Sequence, residues 1–265
     1  MKSMKESMMV LLGGDPVRPK KEDMPGSVRA LHASKRSDKD RIEAIRIELA
    51  HKAQAKQPEK LRRKRWMVLL SVNLLFLVSY YLDIQLLEGA LTGSRFVGFH
   101  MADLNSALQV MLAFKHVVLN LTIGTITVFI MWWLLGGRTF CSWACPYHLV
   151  AEWAEMLHLK LVAKGWATDQ TFDRRSRTWL WLAFLILAVV TGYTVYETIS
   201  PTGILSRALM YGPGVALIWV AILLLIEIFY SRRAWCRYAC PIGLTYGFVG
   251  ITSPFVVTYK LEKCF

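Results

Sequence analysis

A chain of 265 residues that is 54% apolar, with ten tryptophans and a net charge of +13, is too hydrophobic for an ordinary soluble domain and too charged to be apolar throughout. Charge and apolar surface must therefore occupy different segments. No nucleic-acid partner is expected.

The N-terminal residues 1 to 65 hold 18 Lys/Arg, nine Asp/Glu and no Phe, Trp or Tyr. A stretch this polar cannot bury a core of its own, so it reads as a basic arm that is either disordered or ordered against a partner. Within it, Ser37 to about Ala55 carries a weak apolar pattern at Ile42, Ile45, Ile47 and Leu49, as a surface helix would. The first apolar patch, Met8 to Leu12, is too short for a secretory signal.

Four apolar runs follow: Trp66 to Leu82, Val117 to Leu135, Trp179 to Val195 and Val215 to Tyr230. A bilayer core of roughly 30 Å asks for about 20 helical residues, which these runs approach when extended by their aromatic ends. The expectation is an all-α membrane protein with four transmembrane helices arranged as two hairpins. Basic residues set the orientation. The arm, the 137 to 178 loop and the tail after Tyr230 hold 29 Lys/Arg against three in the other two loops, so the positive-inside rule puts both termini in the cytoplasm of a bacterial inner membrane. The chain then divides into the arm 1–65, a transmembrane domain 66–250 and a cytoplasmic tail 251–265.

Behind the second run stands CSWACPYHL (141–149), and behind the fourth CRYACPIGL (236–244). Each places two cysteines in a CxxxC spacing with proline next. In a reducing cytoplasm structural disulfides are disfavoured, and the spacing is not the CxxC of thioredoxin-like motifs. Zinc satisfies the ligand count, since two pairs supply four thiolates. CxxxCP is also the closing portion of the bacterial ferredoxin run that holds 4Fe-4S clusters. The contexts repeat as well: aligning Cys141 with Cys236 sets Arg138 on Arg233, Phe140 on Trp235, Cys145 on Cys240, Pro146 on Pro241 and Leu149 on Leu244. Either the four thiolates share one cluster, or each pair completes a cluster with ligands from elsewhere. The two arginines either offset thiolate charge or anchor helix ends.

With GGRTFCSWACP, YETISPTGILSRALMYGPG and WCRYACPIGLTYGFVG, the chain from about Trp66 onward resembles the NapH-type membrane iron-sulfur proteins, relatives of the membrane portions of NosR and CcoG. The resemblance implies a membrane subunit of a quinol dehydrogenase, passing electrons from menaquinol or ubiquinol toward a periplasmic respiratory reductase beside a ferredoxin-type or multihaem cytochrome partner. It carries a cluster-ligand role onto Cys141, Cys145, Cys236 and Cys240. Family members usually continue into a ferredoxin domain; Cys264 stands where its first cysteine would fall and is a further candidate ligand. The CcoG likeness implies an alternative, a copper-handling or maturation factor for a terminal oxidase or reductase, because soft thiolates also suit Cu(I).

The remaining polar residues divide into two groups. His148, Glu152, Glu155 and His158 fall in an apolar-polar helix whose default is a surface face, with a proton-handling role as the alternative. DLNSALQVMLAFKH, Asp103 to His116, predicts an amphipathic helix capped by Asp103 or Asn105. His100, Asp103 and His116 are the candidates for binding a quinol, whose oxidation releases two protons, or else interfacial residues with no such task.

Overall fold

The computed structural model describes residues 4–14, 43, 45–46, 60–82, 87–90, 93–96 and 99–255. Most of the basic arm, including its expected helix, and Cys264 lie outside the described residues. A short helix, α1 (Met4–Leu11), is followed by α2 (Lys60–Tyr81) and by three strands, β1 (Leu87–Ala90), β2 (Gly93–Phe96) and β3 (Phe99–Ala102). The strands form an antiparallel sheet in the order β1-β2-β3, with Ser94 opposite Met101. Asp103 then caps α3 (Leu104–Phe114), its Oδ2 accepting from the amides of Asn105 at 3.1 Å and Ser106 at 3.3 Å. That is the capping predicted from the sequence. The helices α4 (Leu119–Leu134), α5 (Thr139–Trp143), α6 (Pro146–Lys164), α7 (Arg175–Thr191), α8 (Val195–Ile199), α9 (Pro201–Tyr211) and α10 (Ala216–Phe229) lead to a π-helical turn, Trp235–Ala239, and α11 (Ile242–Thr252).

The expected four membrane crossings are not found. Among the described residues no helix is long and apolar enough to cross a membrane. The last three apolar runs extend past the ends of the helices they form, because those ends belong to other structure. Val118 is extended and α4 has only 16 residues. Gly192 closes α7 in a left-handed conformation after 17. After Gly212 and Gly214 in the preceding loop, α10 keeps 14. At 1.5 Å per residue these helices reach about 21 to 26 Å. α2 is longer, at 22 residues, but it begins KLRRKR. The all-α expectation is corrected too, since the segment between the first two runs contains the three-stranded sheet.

The core gathers around the two cysteine motifs. Phe140, Ala144, Cys145, Tyr147, Tyr196, Trp235, Ile242 and Tyr246 form one buried cluster, against which Cys141, Cys236 and Cys240 pack. The end of α4 is tied to the end of α11: Trp133 Nε1 donates to the Thr252 carbonyl at 2.8 Å, and Ser253 Oγ donates to the Trp133 carbonyl at 2.8 Å. Between them Gly136 and Gly137 turn the chain with φ of 95° and 71°. The approach is close. A Cβ on Gly137 would stand 2.5 Å from Gly250 Cα and 2.6 Å from the Tyr246 carbonyl oxygen.

Gly137→Ala is expected to cost about 3 kcal/mol or more, combining left-handed strain with overpacking against backbone that has no rotamer to yield. Gly165→Ala is its control: φ is 81° but nothing lies within 4 Å, so about 1 kcal/mol is expected. Equal losses in chemical denaturation would show that the contact between α4's end and α11 is not as described.

Candidate metal centre

Both motifs adopt the same local fold. In the first, the Cys145 amide donates to the Phe140 carbonyl at 3.3 Å; in the second, the Cys240 amide donates to the Trp235 carbonyl at 2.8 Å. Each is a five-residue closure, wider than an α-turn, of the kind found at functional sites. Four residues apart on a helical turn, the two cysteines of a motif fall on one side of it. The prolines then have a positional reason. Pro146 opens α6 behind Cys145, and Pro241 stands directly before α11, where a missing N–H is no loss. The amides that follow face the sulfur: those of Tyr147 and His148 toward Cys145, and those of Ile242 and Gly243 toward Cys240.

Side chains from α8 and α9 complete the surroundings. Thr202 Oγ1 lies 3.3 Å from Cys145 Sγ, and the Tyr196 hydroxyl 3.7 Å from Cys240 Sγ. Tyr196 stacks parallel on Trp235, and Phe140 stacks on Tyr246 with ring centres 4.9 Å apart. No role for Tyr196 or Thr202 emerged from sequence, although both lie in YETISPT, a stretch that carried the family resemblance.

The four thiols share one electrostatic environment. Burial pushes all of them up, Cys145 to about 11 and Cys141 and Cys236 well above the usual thiol value. After burial, Cys141 is raised most by Cys240 and Cys145, and Cys236 by Cys240. Opposing them are the Arg138 guanidinium, which favours the Cys141 thiolate, and Arg177, whose own charge is favoured by Cys240 and Cys141. Arg233, the counterpart of Arg138 in the repeat, instead pairs with Glu155 at 2.5 Å. The two arginines thus divide the tasks that the sequence left open.

Among the described residues no group of three or more His, Cys, Asp or Glu side chains is gathered as a metal-binding set. The donor chemistry nevertheless fits an iron-sulfur group: four thiols of buried or partly buried cysteines, two motif-facing arginines and sulfur-directed amides suit a soft, anionic centre. A metal would remove the thiol protons that burial otherwise retains.

Of the three quinol candidates, Asp103 lines a pocket. The residue is 4% exposed and helps line a cavity of about 590 Å³ beside the first motif, with Tyr246 and Phe140 also in the wall. His116 is exposed in the turn after α3. His100 lies in β3, opposite Arg95. In α6, Glu152 and His158 are buried rather than on a surface face. Glu152 is held by Arg65 and by Trp66 Nε1, the latter at 3.0 Å, and His158 Nδ1 meets the Ile228 carbonyl at 2.7 Å. Their partners make them struts between elements.

A model described as a 4Fe-4S binding domain matches residues 118–164 and 212–254, so each matched stretch contains one motif. The methylamine utilization ferredoxin-type protein MauN of Methylobacillus flagellatus is 31% identical over 196 residues, 72% of this chain and 68% of that protein. MauN of Paracoccus denitrificans is 34% identical over 166 residues, 62% of this chain, and the chain spans only 58% of its length. The ferredoxin-type protein NapH of Escherichia coli is 27% identical over 215 residues, 77% of this chain and 73% of that protein. No solved structure matches.

Burial raises Asp103 from 3.8 to about 6. The native state therefore binds a proton that the unfolded chain has released, so this group's contribution to stability falls as pH rises from about 4 to 6. The loss is about 3 kcal/mol at most. Asp103→Asn keeps an N-cap acceptor and should flatten that part of the stability curve. Urea midpoints for the two proteins across pH 4 to 7 that run parallel would show that Asp103 does not titrate in this way.

Proposed function

The chain belongs to the NapH- and MauN-type family of ferredoxin-type, 4Fe-4S electron-transfer proteins, and we propose that within it this chain is the subunit that receives electrons from a quinol, menaquinol or ubiquinol, and passes them toward a respiratory reductase. The observation that carries the reading is the packing of both cysteine motifs against one core, with Cys145 buried within it and Cys141, Cys236 and Cys240 partly buried against it, beside Arg138 and Arg177. These cysteines are the residues that would hold the cluster. When bound, a 4Fe-4S cluster supplies one-electron oxidation and reduction at low reorganisation in a dry site.

The protein's own groups tune that chemistry. The amides following Cys145 and Cys240, with Thr202 and Tyr196, stand where they would donate to cluster-bound sulfur and would favour the more negative, reduced state of a bound cluster. Arg138 and Arg177 act in the same sense. The aromatic walls, Phe140 on Tyr246 and Tyr196 on Trp235, exclude water. A quinol gives up two electrons and two protons, whereas one cluster takes one electron at a time, so further centres on a ferredoxin-type or multihaem partner belong to the reading. Exposed Ile126, Val190 and Ile218 on α4, α7 and α10 are the kind of surface that a subunit of an assembly covers.

Cys145→Ser and Cys240→Ser, purified anaerobically, should each lose or alter a cluster signal in electron paramagnetic resonance, with iron and sulfide falling together. Wild-type protein that holds stoichiometric zinc and no iron would sink the electron-transfer reading. Thr202→Val and Tyr196→Phe keep all four ligands and should lower the cluster's midpoint potential, because each withdraws a hydrogen bond from sulfur. Unchanged potentials in both would remove those residues from the tuning role.

A further inference from the structure

The N-terminal segment, residues 4–14, meets the thiol core through a small contact. α1 has eight residues, too few to be helical in isolation, so its helix depends on what it packs against. Met4, Met8 and Met9 are exposed, and Leu11 is the buried residue of α1. Leu11 occupies a notch in α11. A Cβ on Gly247 would stand 2.4 Å from Leu11 Cδ1 and 3.2 Å from Arg138 Nη2, so the glycine leaves room for the leucine beside that guanidinium. The Leu11 carbonyl accepts from Arg177 Nη2 at 2.9 Å, and the Leu12 carbonyl from Thr178 Oγ1 at 3.1 Å. Gly13, at φ 98°, then passes against Arg175, where a Cβ would stand 2.9 Å from the backbone nitrogen and Cα.

Arg138 and Arg177 are the two cations coupled to Cys141 and Cys240, and Leu11 meets both, one beside its side chain and the other at its carbonyl. The seat also belongs to the second motif. α11 begins at Ile242, just behind Cys240 and Pro241, and on α7 Ser176 Oγ donates to the Tyr238 carbonyl at 3.1 Å, between Cys236 and Cys240. A metal centre needs an entry path. Moving the packed rings, Phe140 on Tyr246 or Tyr196 on Trp235, would break the core itself, whereas α1 can leave by withdrawing one buried side chain. We propose that residues 4–14 are a releasable strap over the arginine side of the thiol centre: docked, they retain the bound cluster, and released, they open a path for iron and sulfide. The cluster rests on the function proposed above; the strap rests on the Leu11 notch, the two carbonyl contacts and the Gly13 approach. Docked, Leu11 also keeps water from the two guanidinium groups, so their charges act on the thiolates with less screening.

The test uses the full chain in two forms. Iron release to ferrozine under dithionite is timed in protein loaded anaerobically with iron and sulfide, and alkylation by iodoacetamide, read at each cysteine by mass spectrometry, in metal-free reduced protein. Leu11→Lys sets a third cation against Arg138 and Arg177, and Gly13→Ala brings a Cβ onto the Arg175 backbone. Both positions lie outside the buried cluster around the motifs, so circular dichroism should report an intact fold. Each variant should speed iron release, and alkylation of Cys141 and Cys240, at least tenfold. Leu12→Lys adds the same charge one residue along, on an exposed side chain, and should stay within about twofold of wild type. Rates unchanged in either Leu11→Lys or Gly13→Ala would overturn the proposal, and so would an equal acceleration in Leu12→Lys. Failure of the electron-carrier reading shows separately: none of the four proteins retains iron, yet alkylation still sets Leu11→Lys and Gly13→Ala apart from Leu12→Lys.

Discussion

Desolvation of four thiols in one apolar core is the constraint on which the rest of the structure depends. Buried among aromatic rings, Cys141, Cys145, Cys236 and Cys240 keep their protons, and each thiolate formed makes the next harder to form. Ionising them together requires positive charge or dipoles placed in advance, since water cannot reorganise around them. The helices that begin after Cys145 and Cys240 supply amides, Arg138 and Arg177 supply charge, and Thr202 and Tyr196 reach the sulfurs from α9 and α8. Helix starts, proline positions and the placement of α8 and α9 all fit the need to charge a dry site.

The motif was legible in the sequence because its signal is short and covalent: cysteine spacing, a following proline and a second copy do not depend on packing. The Asp103 cap was legible for the same reason, as a local rule. Helix length was not. Apolar runs record burial and exposure but not where the backbone turns, and Gly192 and the extended Val118 lie inside or at the edge of runs that read as continuous. The sheet was missed because strands of four residues, two of them with glycine, carry too little alternation to stand out from a loop. Tyr196 and Thr202 were invisible for another reason: their role exists only through Cys240 and Cys145, 44 and 57 residues away.

The repeat is also less symmetric than its alignment. Arg138 faces thiol charge while Arg233, in a left-handed conformation, turns to Glu155. Phe140 and Trp235 occupy the same place in the alignment, yet one stacks on Tyr246 and the other on Tyr196. The cavity with Asp103 lies beside the first motif, so the two cysteine pairs do not meet the same surroundings.

Two buried acids show how the halves are joined. Asp103 precedes the first motif, and its carboxyl interacts with Tyr246, which follows the second; Glu227 precedes the second motif, and its carboxyl interacts with Tyr147, which follows the first. Glu227 Oε1 also accepts from the Trp235 amide at 3.1 Å, at the head of the π-helical turn. Each half therefore buries an acid whose tyrosine partner lies on the other half. Separating them would leave both carboxyls without those partners in apolar surroundings, a cost that falls on both halves at once. Neither matched stretch of the 4Fe-4S domain can then be treated as an independent unit.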